Sequence, residues 1–180
     1  MSRLLLLDDE PAVVNAICRE LRGEGWQLDA FTDPQVALEA LSQNTYELIL
    51  SDLRMPELDG IAFLQFAKQL QPDALRLLLS GDSDRETLVR AINRAEVYRF
   101  ISKPWDAYEL RSTLHTCLEL QHSQVERKAL LERVRQQQHA IDAHEAHLRK
   151  MRQEHPEIFA VARSEDGAIL LEDESEPEPR

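Results

Sequence analysis

Four short apolar runs before residue 105 each end in a side chain able to do chemistry. Arg3–Leu7 runs into Asp8, Asp9 and Glu10, and Leu48, Ile49 and Leu50 run into Ser51 and Asp52. Arg76–Leu79 runs into Ser80 and Gly81, and Tyr98, Phe100 and Ile101 lead to Lys103 and Pro104. Taken singly, such residues are as readily helix caps and turn formers. Five of them at the ends of predicted strands are a pattern. Carboxylates that converge on one crevice raise one another's pKa unless a cation neutralises them. Lys103 is one candidate cation and a divalent metal is another. The ligands on offer near these positions are oxygens, which favours Mg²⁺ over Zn²⁺. A metal, a lysine, a hydroxyl and an exposed carboxylate together suit phosphoryl transfer, with the carboxylate as nucleophile.

The elements that must position these groups alternate. After the strand at Arg3–Leu7, Pro11 opens a helix with Val13, Val14, Ile17, Cys18 and Leu21 at helical spacing, stopped by Gly23 and Gly25. Trp26–Phe31 reads as a second strand, and Asp33-Pro34 caps a helix through Leu41. Glu47–Asp52 is the third strand, and Gly60–Leu70 is a helix with Ile61, Phe63, Leu64 and Ala67 inward. Gln71-Pro72-Asp73 turns into the fourth strand, Arg76–Leu79. Ser83 with Glu86 has the spacing of a capping box for a helix to about Ala95, and Val97–Ser102 is the fifth strand. Asp106 with Glu109 opens a last helix that meets no clear stop before His155-Pro156. This alternation predicts an α/β fold, a doubly wound five-stranded parallel sheet with an extended C-terminal helix. In such folds the site lies outside the carboxyl ends of the strands, where Asp8, Asp9, Asp52, Ser80 and Lys103 fall.

Composition narrows the setting. No apolar run is long enough to span a bilayer and no leader pattern opens the chain, so a cytoplasmic protein is expected. Cys18 and Cys117 are far apart and suit reduced thiols. The net charge of −12 disfavours non-specific attraction to nucleic acid. Half of that charge lies in Glu165–Arg180, where seven acids face one basic residue in what reads as a solvated tail.

The segments DDEP, SDLRMPELDG, LLLSG and YRFISKPW together resemble the receiver domain of bacterial two-component response regulators, over roughly residues 1–120. The resemblance implies a flavodoxin-like strand order, 2-1-3-4-5. It implies Asp52 as phosphoacceptor from the phosphohistidine of a sensor histidine kinase or phosphotransfer protein. Asp9 would be the main acidic Mg²⁺ ligand beside Asp52, with Asp8 orienting through the shell and the backbone carbonyl of Arg54 completing the set. Lys103 would pair with the phosphoryl group, Ser80 would donate its hydroxyl to it, and Phe100 would be the aromatic of the switch. Ser80 stands where many members have Thr; both carry the hydroxyl. Arg54 and Asp82, two residues beyond Asp52 and Ser80, would tune the lifetime of the phosphoryl group.

Past residue 120 the resemblance ends and three regions are expected: the receiver at 1–120, a helical extension at 121–155, and a hairpin-like segment with the acidic tail at 156–180. A heptad count puts Leu120, Arg127, Val134, Ile141 and Leu148 on one seam, with Ser123, Leu130, Gln137, His144 and Met151 beside it. Four of the ten are polar, so a short coiled coil making a homodimer competes with a solvated helix. All six histidines lie from His115 onward, and His144 with His147 lacks the spacing of a zinc motif. Ile158–Arg163 and Ala168–Glu172 flank SEDG as a hairpin would. The expected output is a phosphorylation-gated contact with an unknown downstream protein. A DNA-binding regulator is the alternative, but Ala107–His155 carries eight basic residues against seven acids. A metal-dependent aspartyl phosphatase is a further alternative; the resembling enzymes want an acid at the place of Arg54.

Overall fold

A computed structural model describes residues 1–56, 58–81 and 95–156. Five strands, β1 (Arg3–Leu7), β2 (Gln27–Phe31), β3 (Leu48–Asp52), β4 (Leu75–Ser80) and β5 (Arg99–Ser102), form one sheet in the order β2-β1-β3-β4-β5. Every neighbouring pair is parallel. Helices α1 (Pro11–Glu20), α2 (Pro34–Gln43) and α3 (Gly60–Leu70) alternate with the strands, and a C-terminal helix runs from Ala107 to Glu154. The fold class and strand order expected from the sequence are those found.

The leucine runs explain why the sheet is buried on both sides. Side chains alternate across a strand, so β1 sends Leu5 and Leu7 to one face and Leu4 and Leu6 to the other. On the first face they meet Ala37 and Leu41 of α2 and Ile61, Phe63, Leu64 and Ala67 of α3. On the second they meet Val14 and Ile17 of α1 and Leu110, Leu114, Cys117 and Leu118 of the C-terminal helix. Such leucines are fully inaccessible, and truncating one to alanine costs roughly 2–5 kcal/mol.

Local chemistry sets the element ends. Asp33 caps α2 by accepting from Gln35 N–H at 2.7 Å, Asp59 caps α3 through Ala62 N–H at 2.7 Å, and Asp106 accepts from Tyr108 and Glu109 N–H at 2.8 and 3.0 Å. The fifth strand is shorter than its sequence pattern. Glu96 takes a positive φ of 48°, which turns the chain, and regular pairing begins only at Arg99. The helix expected after Ser83 and the hairpin expected after Pro156 lie outside the described residues.

The chain divides into two compact units, Met1–Lys128 and Ala129–Arg180. Within the first, the C-terminal helix is tied to the segments that lead into β2, β3 and β4. His115 pairs with Glu24 at 2.7 Å and lies edge-on to Trp26, His122 pairs with Glu47 at 3.0 Å, and Lys128 pairs with Asp73. In the second unit, the described part of the helix is exposed throughout except at Met151, which is half-buried.

Candidate functional site

The carboxyl ends of β1, β3, β4 and β5 bring four of the expected residues to one edge of the sheet. Asp52 is the last residue of β3, Ser80 the last of β4, Asp8 follows β1, and Lys103 follows β5. Register fixes them: Ser51 is opposite Leu7, Asp52 opposite Leu79, and Ser80 opposite Ser102. Two backbone bonds continue the ladder past the strand ends, from Leu53 N–H to the Leu79 carbonyl (3.0 Å) and from Lys103 N–H to the Ser80 carbonyl (2.8 Å).

Lys103 joins the two buried acids. Its Nζ lies 2.5 Å from Asp52 Oδ1 and 2.7 Å from Asp8 Oδ2. The remaining oxygens are also held. Asp52 Oδ2 accepts the N–H of Arg54 at 2.7 Å, and Asp8 Oδ1 accepts the N–H of Glu10 at 3.0 Å. Asp8 is fully buried, and Asp52 is buried to 6% exposure. Burial lifts the Asp8 carboxyl above its ordinary value, and the Lys103 ammonium and Glu10 N–H only partly offset that. Burial alone would lower Lys103, but hydrogen bonds and charge from Asp52 and Asp8 outweigh it and hold the ammonium above its usual range.

The electrostatics therefore leave a deficit of positive charge. One lysine serves two carboxylates, and Asp9, half-buried beside them in sequence, adds a third. Asp9 lines a cavity of about 210 Å³ with Thr32, Asp33, Pro34, Met55 and Pro56. A hard divalent cation with oxygen ligands and retained waters fits this donor set. The lifted Asp8 carboxyl supports the fit, because a carboxylate short of counter-charge is the group such an ion would relieve. Among the described residues no cluster of three or more acid, His or Cys side chains is gathered to hold a metal by itself. A cation here would lean on few protein groups.

Ser80 is buried at its strand end. Phe100 is half-buried against the core and also lines a small cavity with Trp105 and Thr113. Arg54 lies immediately beyond the β3 terminus, and Asp82 is outside the described residues. One participant was missed: Gly60, which sequence reasoning treated only as the start of a helix. A Cβ built there would lie 1.9 Å from the Asp52 carbonyl oxygen, so α3 begins in backbone contact with the candidate nucleophile. Its only sequence signal is a glycine eight residues beyond the acid, directly after a capping Asp.

Comparison with known proteins agrees with this fold. The response regulator receiver domain family matches residues 4–115. The hydrogenase transcriptional regulatory protein HoxA of Bradyrhizobium diazoefficiens is 32% identical over 123 residues, covering 68% of this chain and 25% of that protein. The transcriptional regulatory protein ZraR of Escherichia coli K12 is 32% identical over 120 residues, covering 67% and 27%. The chain thus spans about a quarter of the length of these relatives. A solved signal receiver domain of an HD domain-containing protein from Pseudomonas fluorescens Pf-5 superposes with a TM-score of 0.67 at 35% identity, covering 70% of this chain and 93% of that one. Fold, strand-end acids and lysine, and sequence similarity over most of the first unit converge: the chain belongs to the response regulator receiver family.

Proposed function

We propose that this receiver accepts a phosphoryl group on Asp52 from the phosphohistidine of a sensor histidine kinase or phosphotransfer protein, with Mg²⁺, and thereby switches a protein-contact surface. The observation that carries the reading is the Asp8–Lys103–Asp52 bridge, in which one ammonium holds the nucleophile and a second, under-neutralised acid. Arg54 N–H fixes Asp52 Oδ2 and leaves Oδ1, beside Lys103, to attack phosphorus. A P–O bond forms as the P–N bond to the donor imidazole breaks, and the imidazole nitrogen keeps the electron pair. Asp9, Asp52 and the Arg54 carbonyl would hold the Mg²⁺, with Asp8 oriented through its shell; the ion supplies charge neutralisation on the phosphoryl oxygens.

Phosphorylation adds about 1.5–2 negative charges and three acceptors at Asp52. Lys103 exchanges a carboxylate partner for phosphoryl oxygen, and Ser80 donates its hydroxyl to the same group. Phe100, half-buried beside β4, moves inward. The surface around β5 and the adjoining helices then changes between two states. Arg54 and Asp82 would tune the lifetime of the phosphoryl group. Replacing both by small residues with no change in dephosphorylation rate would sink that part. No catalytic turnover of an external substrate is proposed, and the cell compartment that fits is the cytoplasm. Among the described residues, no helix is long and apolar enough to cross a membrane.

The decisive test is labelling with a small phosphodonor and Mg²⁺. Wild type should incorporate phosphate and Asp52→Asn should not; incorporation by the variant at the wild-type level removes the assignment.

A further inference from the structure

The second compact unit carries an apolar seam along an otherwise polar helix. Leu130, Val134, Ile141 and Leu148 are 58%, 53%, 52% and 39% exposed. With Met151 they recur in steps of three, four and seven, and the two remaining places on the seam are filled by Gln137 and His144. The local support visible on this stretch consists of exposed pairs such as Glu132–Arg135 and Lys150–Glu154, worth a few tenths of a kcal/mol each at most. A helix in water draws most of its stability from packing an apolar face.

We propose that residues 130–151 pair with a second copy of the chain as a parallel, in-register, two-stranded coiled coil. The order of residue types along the seam selects that occupant. Val134, Ile141 and Leu148 fall at the first apolar position of the heptad, two of the three β-branched, and Leu130 and Met151 at the fourth. β-Branched residues at the first position with Leu at the fourth favour two parallel strands. Parallel pairing also sets like against like. Each aliphatic layer meets its own kind, Gln137 meets Gln137 and His144 meets His144. Both polar side chains carry a donor and an acceptor, His144 in its neutral form, so each can hydrogen-bond its twin. Antiparallel pairing in the same seam places Val134 opposite His144 and Ile141 opposite Gln137, which buries polar groups against aliphatic ones at a cost.

The flanks agree. In the parallel register Arg133 faces Gln138 of the second copy, and Ala140 faces Glu145, so the middle of the seam opposes no like charges. Arg127 would meet its own twin, so the seam opens at Leu130, just inside the second compact unit. An unrelated partner would need matching polar layers at two set heights. A second copy has them automatically.

Sedimentation of the full chain tests the pairing. A dimer is expected at about 100 μM, with association weakened at least tenfold by Ile141→Asp. Phosphate labelling of Asp52 should be unchanged in that variant, which separates failure of this inference from failure of the phosphoryl-transfer reading. Orientation is read by oxidation in a Cys18→Ser background, since Cys117 is buried. His144→Cys chains should link to one another. A monomer at that concentration overturns the proposal, as does a dimer indifferent to Ile141→Asp. It also fails if Val134→Cys chains link to His144→Cys chains while neither links to itself.

Discussion

The two ends of the sheet treat charge in opposite ways. At the carboxyl end, Lys103 is shared between Asp52 and Asp8, and Asp8 is held above its ordinary pKa by burial. At the amino end, charges are paired and their polar atoms are satisfied. Arg3 meets Asp29 at 2.6 Å, and Tyr46 donates its hydroxyl to the same carboxylate at 2.8 Å. Buried Arg76 donates to the carbonyls of Ala95 and Ala74 at 2.9 and 2.7 Å and lies 3.7 Å from Glu96, which Lys68 also pairs at 2.6 Å. One end is an electrostatic conflict at the place where chemistry is proposed. The other is a set of clasps that hold the strands in register.

The contrast makes separable predictions. The largest effect belongs to the conflicted end, where Asp52→Asn should abolish phosphate labelling, by at least about 100-fold, without loss of fold. At the clasped end, Arg76→Met strands two buried carbonyls and should cost about 2–4 kcal/mol in denaturant unfolding. Labelling of the folded fraction should persist; a stability change within error would mean that the clasp is ornamental.

Asp8→Asn should act in the other direction, raising stability by about 1 kcal/mol in metal-free buffer because a buried, under-neutralised carboxylate is removed. A lower melting temperature for that variant would contradict the proposed charge deficit. A comparable effect is expected at Tyr46, whose hydroxyl is pushed up to about 12 by burial and by its bond to Asp29. A raised phenol pKa adds stability that is fully present below the unfolded value of about 10 and is lost as pH rises through the folded value. Unfolding followed between those two values should show that loss. Tyr46→Phe should remove the alkaline step, at about 1 kcal/mol below it.

Much of this contrast was legible in the sequence, but only on one side. The leucine runs and their terminal acids announced the strands and the crevice, because burial on both faces demands continuous apolar residues and a site needs its groups at strand ends. The clasps were not legible. Arg76 opens what reads as an apolar strand, and nothing near it in sequence tells that its guanidinium reaches the Ala95 carbonyl. The shortened fifth strand has the same origin, since the turn at Glu96 depends on backbone conformation rather than on side-chain pattern. Tertiary contacts between distant segments leave no local periodicity to read.

Gly60 carries a consequence of its own. Since its missing side chain lets α3 rest against the Asp52 carbonyl, the helix and the peptide group of the proposed phosphoacceptor share one mechanical position. Gly60→Ala would therefore be heard as a displaced Asp52 peptide before it was heard as an altered helix, at a position that carries no side chain and yet borders the proposed reaction centre.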